Sequence, residues 1–172
     1  MRYKGLKIIS RSAWHPSGNR GSYFLTPPNA TTFIHHSASD YGDIDSYTEQ
    51  CAVMRNIDRQ HLAQGWSGIG YNFVVFMPYK RRLWHRPRIF EGRGLDRVPA
   101  AQVNHNTGNI AVCVIGNFQE QEVPDSVVDK LVSLCRRLPG TRIAGHRDVN
   151  QTSCPGENLY DKLPEIRKRV NR

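Results

Sequence analysis

The sequence predicts an α/β fold, a single domain with a central mixed β-sheet flanked by α-helices, and three observations carry that expectation. Strand-like and helix-like apolar patterns alternate through most of the chain. One nearly continuous apolar run, Ile110-Ala-Val-Cys-Val-Ile115, has the character of a central strand buried on both faces. At 172 residues the chain is long enough to bury a core and short enough for one domain. That domain is expected to span 1–172, with its core over about 30–160, an N-terminal segment over 1–29 and a basic C-terminal helix over 159–172.

The first 28 residues hold Pro16, Gly18, Gly21, Pro27 and Pro28, which should break any regular element. Residues 31–38, Thr-Thr-Phe-Ile-His-His-Ser-Ala, read as a strand rich in β-formers. A helix is expected over 46–64. Ser46 and Glu49 make a capping-box pair, and Tyr47, Cys51, Met54, Ile57 and His61 recur at helical spacing. Residues 71–76 predict a second strand, 88–91 a short third and 110–115 the central one. Pro124 and Asp125 open a helix that Pro139-Gly140 stops, 142–144 is a short strand, and Leu159, Leu163, Ile166 and Val170 share one side of a last helix.

The formal charge of +9 predicts attraction to an anionic polymer, such as a cell-wall surface. Nucleic acid is not expected as the partner, because aromatics interleaved with basic residues are missing. No apolar stretch approaches the ~20 residues of a membrane span, and the N-terminus has no apolar region of the signal-peptide kind. The reading is a monomer, either held in a host cytoplasm until release or already mature outside the cell. Cys51, Cys113 and Cys135 read as small buried hydrophobes.

Cys154 differs, because it sits across a tight polar loop from His146 and is fixed by Pro155-Gly156. With a histidine from the first strand, these make a candidate zinc site: imidazole and thiolate suit that ion, and three protein ligands leave a position open for chemistry.

An ordered set of short motifs runs from about residue 30 to 160. It comprises Phe33-Ile-His-His-Ser-Ala38, Gly68-Ile-Gly-Tyr-Asn-Phe73, Glu91-Gly-Arg-Gly94, Asn109-Ile-Ala-Val-Cys-Val-Ile-Gly-Asn-Phe118, Gly145-His-Arg-Asp148 and Cys154-Pro-Gly156. The set resembles the type-2 N-acetylmuramoyl-L-alanine amidases, a superfamily that includes peptidoglycan recognition proteins and amidase-type phage lysozymes. The one-domain build is most similar to a phage endolysin.

The resemblance implies one Zn2+ per chain, held by His35, His146 and Cys154, and peptidoglycan as the substrate. It implies hydrolysis of the amide between the lactyl group and L-alanine. Non-catalytic recognition proteins of the family typically lack the cysteine, so Cys154 favours an enzyme over a binding module. Tyr71 takes the position of the active-site tyrosine, and Thr152 that of a second residue facing the oxyanion. His36, Trp66, Arg93 and Asn106 are candidates to line the substrate groove, and Asp148 to orient His146 or cap its loop. The family's substrate-facing histidine falls on Ala101, so it is either missing or replaced by His105 after a local shift.

Overall fold

The computed structural model describes residues 2–15, 21–39, 41, 44, 46–77 and 86–172. Pro16 and Gly18, expected as breakers, lie outside the described residues. The N-terminal segment is more regular than its composition suggests. It forms a small antiparallel hairpin, β1 (Arg2–Tyr3) and β2 (Leu6–Lys7), followed by a 3-10 turn at Arg11–Ala13. Between them the chain lies along the sheet edge, with Ile9 exchanging backbone hydrogen bonds with Ile89 and Glu91 at 2.8 Å each. The 3-10 turn is tied to that edge through Arg11 and Trp14, and the hairpin to Arg137, which donates to the Lys4 carbonyl at 2.9 Å; no local propensity announces either contact.

Five strands build the central sheet: β3 (Thr31–His36), β4 (Phe73–Phe76), β5 (Arg88–Glu91), β6 (Ile110–Val114) and β7 (Arg142–Gly145). Their order is β5-β4-β6-β3-β7, and every pair is parallel except β4 with β5, so the sheet is mixed as expected. β6 is buried along its whole length, which is why its sequence shows no alternation. β3 stops two residues before the expected end, and at Ala38 the backbone has turned to a φ of 52°. β4 begins only at Phe73, which leaves Tyr71 on the approach to the strand rather than within it.

Helix α1 (Tyr47–Ala63) carries the expected capping box: the Glu49 N–H donates to Ser46 Oγ at 3.1 Å, and the Ser46 N–H donates to Glu49 Oε2 at 2.9 Å. Helix α2 (Asp125–Cys135) follows Pro124. The expected last helix is two, α3 (Glu157–Tyr160) and α4 (Leu163–Val170). Pro164, at the start of α4, has no N–H to continue a helix from the preceding turn and favours a fresh start.

One sheet face carries Ile34, Phe73, Val75, Val112 and Val114 under α2 and α4, with Leu131, Leu134, Leu163 and Ile166 buried against them. On the other face, α1 packs Met54 and Ile57 over Val74, Phe76, Phe90 and Cys113. That second cluster contains no described side chain from β3 or β7. Helix α1 therefore covers only the β4–β6 half of its face, and the β3–β7 half is left to loops. Cys51, Cys113 and Cys135 are buried and free, as small core residues. No helix among the described residues is long and apolar enough to cross a membrane.

Candidate metal centre

His35 projects from the half of β3 that α1 leaves uncovered, because neighbours Ile34 and His36 point to the opposite face. β7 runs directly into the 3-10 turn His146–Asp148, which delivers the second histidine beside it. The loop beyond returns Cys154 to the same place. The ligand atoms of His35, His146 and Cys154 all lie within 4.8 Å of one another. The His35 and His146 rings are 4.6 Å apart, and Cys154 Sγ is 3.7 Å from His35 Nδ1.

The loop is held by short internal bonds. Asp148 accepts from the Gly145 N–H at 2.9 Å and from the Tyr160 hydroxyl at 2.6 Å, so it caps the turn, while His146 finds its partner elsewhere. Arg147 N–H donates to the Cys154 carbonyl at 3.0 Å. Gly156 has a φ of +88°, and a Cβ there would stand 2.5 Å from the Phe118 carbonyl carbon; only glycine fits the turn that follows the cysteine.

Both rings are neutral at physiological pH. Burial first, and then the His146 charge, push His35 down from 6.5 to about 3; burial also lowers His146. His35 Nε2 lies 3.1 Å from the Gln102 side-chain oxygen, and His146 Nε2 lies 3.1 Å from that of Asn150. Each ring thus leaves its Nδ1 lone pair for the cluster. Cys154 Sγ accepts the His36 N–H at 3.4 Å; burial raises its thiol to about 11, against the opposing pull of that hydrogen bond and of the Arg147 charge. Two imidazole nitrogens and one sulfur, converging with one side open to loops, fit zinc.

Tyr71 lies against this cluster, its ring 5.6 Å from that of His35. Burial above all, with the thiols of Cys113 and Cys154 adding to it, raises the phenol well above its usual 10, so it is a protonated donor. Thr152 Oγ1 accepts the Cys154 N–H at 3.2 Å, which leaves its hydroxyl hydrogen to donate. Trp66 is partly exposed and its ring lies tilted against His61 at 4.5 Å, and His61 in turn lies 5.6 Å from Tyr71. The three rings form a continuous aromatic wall leading from His35.

Other candidates for the groove are placed differently. His36 faces the α2 side of the sheet, buried beside Phe118, with its Nδ1 accepting the Phe118 N–H at 3.2 Å; strand alternation turns it away from His35. The Arg93 guanidinium is buried and donates to the carbonyls of Ile69 (2.7 Å), Val98 (2.6 Å) and Gly68 (3.4 Å), so it braces the loops behind the wall. Asn106 accepts the N–H groups of Ala101 and Gln102 at 3.0 and 3.1 Å and so shapes its own loop. His105 is exposed, its ring 6.3 Å from Phe33.

Two residues near the site escaped sequence reasoning. His61 was absorbed into the apolar periodicity of α1, although its place one turn before Trp66 was a usable signal. Gln102 had none, since a glutamine in a loop carries no chemistry until its partner is seen.

Known proteins share this architecture. The chain is 31% identical over 166 residues to a human N-acetylmuramoyl-L-alanine amidase, covering 91% of this chain and 27% of that protein. Bumblebee PGRP-SA superposes with a TM-score of 0.76 at 26% identity, covering 92% of this chain and 93% of that one. The endolysin N-acetylmuramoyl-L-alanine amidase LysCS from Clostridium intestinale URNW gives a TM-score of 0.69 at 25% identity, covering 96% and 95%. Residues 26–157, from the segment before β3 through Cys154 to the start of α3, match the Amidase_2 family description, and the chain belongs to that N-acetylmuramoyl-L-alanine amidase family.

Proposed function

We propose that this protein is a zinc-dependent N-acetylmuramoyl-L-alanine amidase. It hydrolyses the amide between the lactyl group of peptidoglycan and the stem peptide's L-alanine, in the setting of a phage-type endolysin. The observation that carries this reading is the convergence of His35, His146 and Cys154 beside a protonated Tyr71. A sensor that only binds muropeptide has no need of a complete ligand set.

Zinc bound by three such ligands supplies Lewis acidity, which makes water nucleophilic near neutral pH and polarises a carbonyl. The chain's own residues do the rest. Tyr71 donates from its hydroxyl to the oxygen of the lactyl carbonyl as negative charge develops there. Thr152, whose oxygen accepts the Cys154 N–H, keeps its hydroxyl hydrogen free to donate to the same oxyanion or to the attacking water. His35 and His146 do not shuttle protons, since each Nε2–H is committed to an amide oxygen. The leaving amine takes its proton from solvent. Trp66 and His61 offer flat apolar surface to the stem peptide or to the sugar above it.

The deciding experiment is digestion of purified peptidoglycan by zinc-loaded and chelated protein, with the new ends identified by mass spectrometry. Peptides with free N-terminal L-alanine, released only with zinc and not by Cys154→Ser, are expected. Wall binding without cleavage by folded, zinc-loaded protein would replace the enzyme with a recognition module.

A further inference from the structure

The loop of residues 101–106 touches both ligand histidines through the side chains of two carboxamides. Gln102 is fully buried in the loop; its Oε1 faces His35 Nε2 at 3.1 Å, and its Nε2 donates to the His105 carbonyl at 3.3 Å. Asn150 repeats the arrangement from the other side: its Oδ1 faces His146 Nε2 at 3.1 Å, and its Nδ2 donates to the Val103 carbonyl at 3.2 Å. Each amide nitrogen is thereby assigned, because only it can donate to a carbonyl. Each amide oxygen must then receive its hydrogen from the histidine. Both rings are fixed as the Nε2–H tautomer, which leaves both Nδ1 lone pairs free, and that of His35 lies 3.7 Å from Cys154 Sγ.

We propose that Gln102 and Asn150 are the positioning residues of the metal centre, setting the tautomer and aim of His35 and His146 and yoking both rings to the 101–106 loop. The proposal rests on the zinc reading above. It extends that reading to a coupling: an ion that holds the two rings also holds the loop that carries Gln102, and a disordered loop releases both rings. Asn106 completes the coupling, since its side chain pins the Ala101 and Gln102 N–H groups. Gln102 should matter more than Asn150, because a buried acceptor has no water to replace it, whereas Asn150 is only half-buried.

Single changes can separate the two bonds each carboxamide makes. Gln102→Leu removes both, whereas Gln102→Glu keeps the acceptor for His35 and loses the donor to His105. Asn150→Ala and Asn150→Asp do the same for His146 and Val103. Zinc affinity is measured by competition with a chromogenic chelator at neutral pH, and amide hydrogen exchange is followed over 101–106 with and without zinc. Gln102→Leu should weaken zinc binding by roughly 10- to 100-fold, and Gln102→Glu should restore it, because a carboxylate accepts the imidazole hydrogen at least as well. Asn150→Ala should show a smaller loss and Asn150→Asp a recovery. Zinc should protect 101–106 in the parent protein and not in Gln102→Leu. Unchanged affinity in folded Gln102→Leu, or a Gln102→Glu variant as poor as the leucine one, would overturn the proposal and leave the zinc site standing. A parent chain that binds no zinc would overturn both. Should Gln102→Leu not fold, the Glu variant and the Asn150 pair decide.

Discussion

In the proposed reaction Tyr71 acts as a hydrogen-bond donor, because its surroundings keep the phenol protonated. Burial and neighbouring thiols hold the phenol protonated, and its ring lies 5.6 Å from that of His35. Tyr71→Phe keeps the ring and removes only the hydroxyl. Its turnover on peptidoglycan should fall by roughly 100- to 1,000-fold, the usual effect of losing one oxyanion donor, with zinc affinity unchanged. His61 offers a second test. Burial, and then the Arg93 charge, lower it from 6.5 to about 4, against an opposing pull from Asp58. Its Nδ1 accepts the Gly70 N–H at 3.0 Å, a bond available only to the unprotonated nitrogen. The unfolded chain therefore takes up this proton first. The stability contributed by neutral His61 is complete above 6.5 and drains away as pH falls towards 4. His61→Gln should flatten the loss of stability across that window, read from denaturant midpoints of metal-free protein. A part of the slope should remain, since His35, His36 and His146 are lowered too.

Among the elements, the connection before β4 and the one after β5 decide where the wall of the site stands. Arg93 spans them, joining the carbonyls of Gly68 and Ile69 to that of Val98. Gly92 lies directly against the Tyr71 carbonyl, where a Cβ has no room. Arg93→Ala would strand buried carbonyls and should cost roughly 2 to 4 kcal/mol of stability, measured by chemical denaturation. Substrate affinity of the protein that remains folded should change little, in contrast with a residue that grips the ligand. The strands and α1 were legible because their signals are local: β-formers in 31–36, an unbroken apolar run in 110–114, a reciprocal Ser46–Glu49 cap. The N-terminal hairpin and the break at Pro164 were not. The first depends on a distant contact with Arg137, and the second on a proline that can open a helix as readily as it ends one.

At the scale of the whole molecule, the basic tail is part of the core. Leu159, Leu163 and Ile166 are fully buried, and Arg167 donates to the Ile143 carbonyl at 2.7 Å, so α4 seals the lower end of β7. Burial of three such side chains contributes on the order of 5 kcal/mol or more, comparable to the whole stability of a domain. Truncation before Leu159 should abolish cooperative thermal unfolding, where a dispensable targeting segment would leave the melting transition in place. That His35, His146 and Cys154 belong together was legible in the sequence through the order of their motifs. What surrounds them was less so: Arg93 and Asn106 have the right chemistry for gripping a substrate, and only their hydrogen bonds show them turned inward.

Helix α1 shelters only half of its sheet face, and the segments 99–106 and 146–156 that wall the other half place no described side chain in either apolar cluster. The scaffold and the tooling are thus separately editable. Mutations at the exposed positions of those segments can drift towards new wall chemistries with little risk to folding, as long as His146, Cys154, Asp148, Gly156, Asn106 and the two carboxamides stay. A swap of residues 103–105 between relatives is the natural place to begin retargeting the proposed enzyme, whereas a swap of strands would have to rebuild the barrier between two cores.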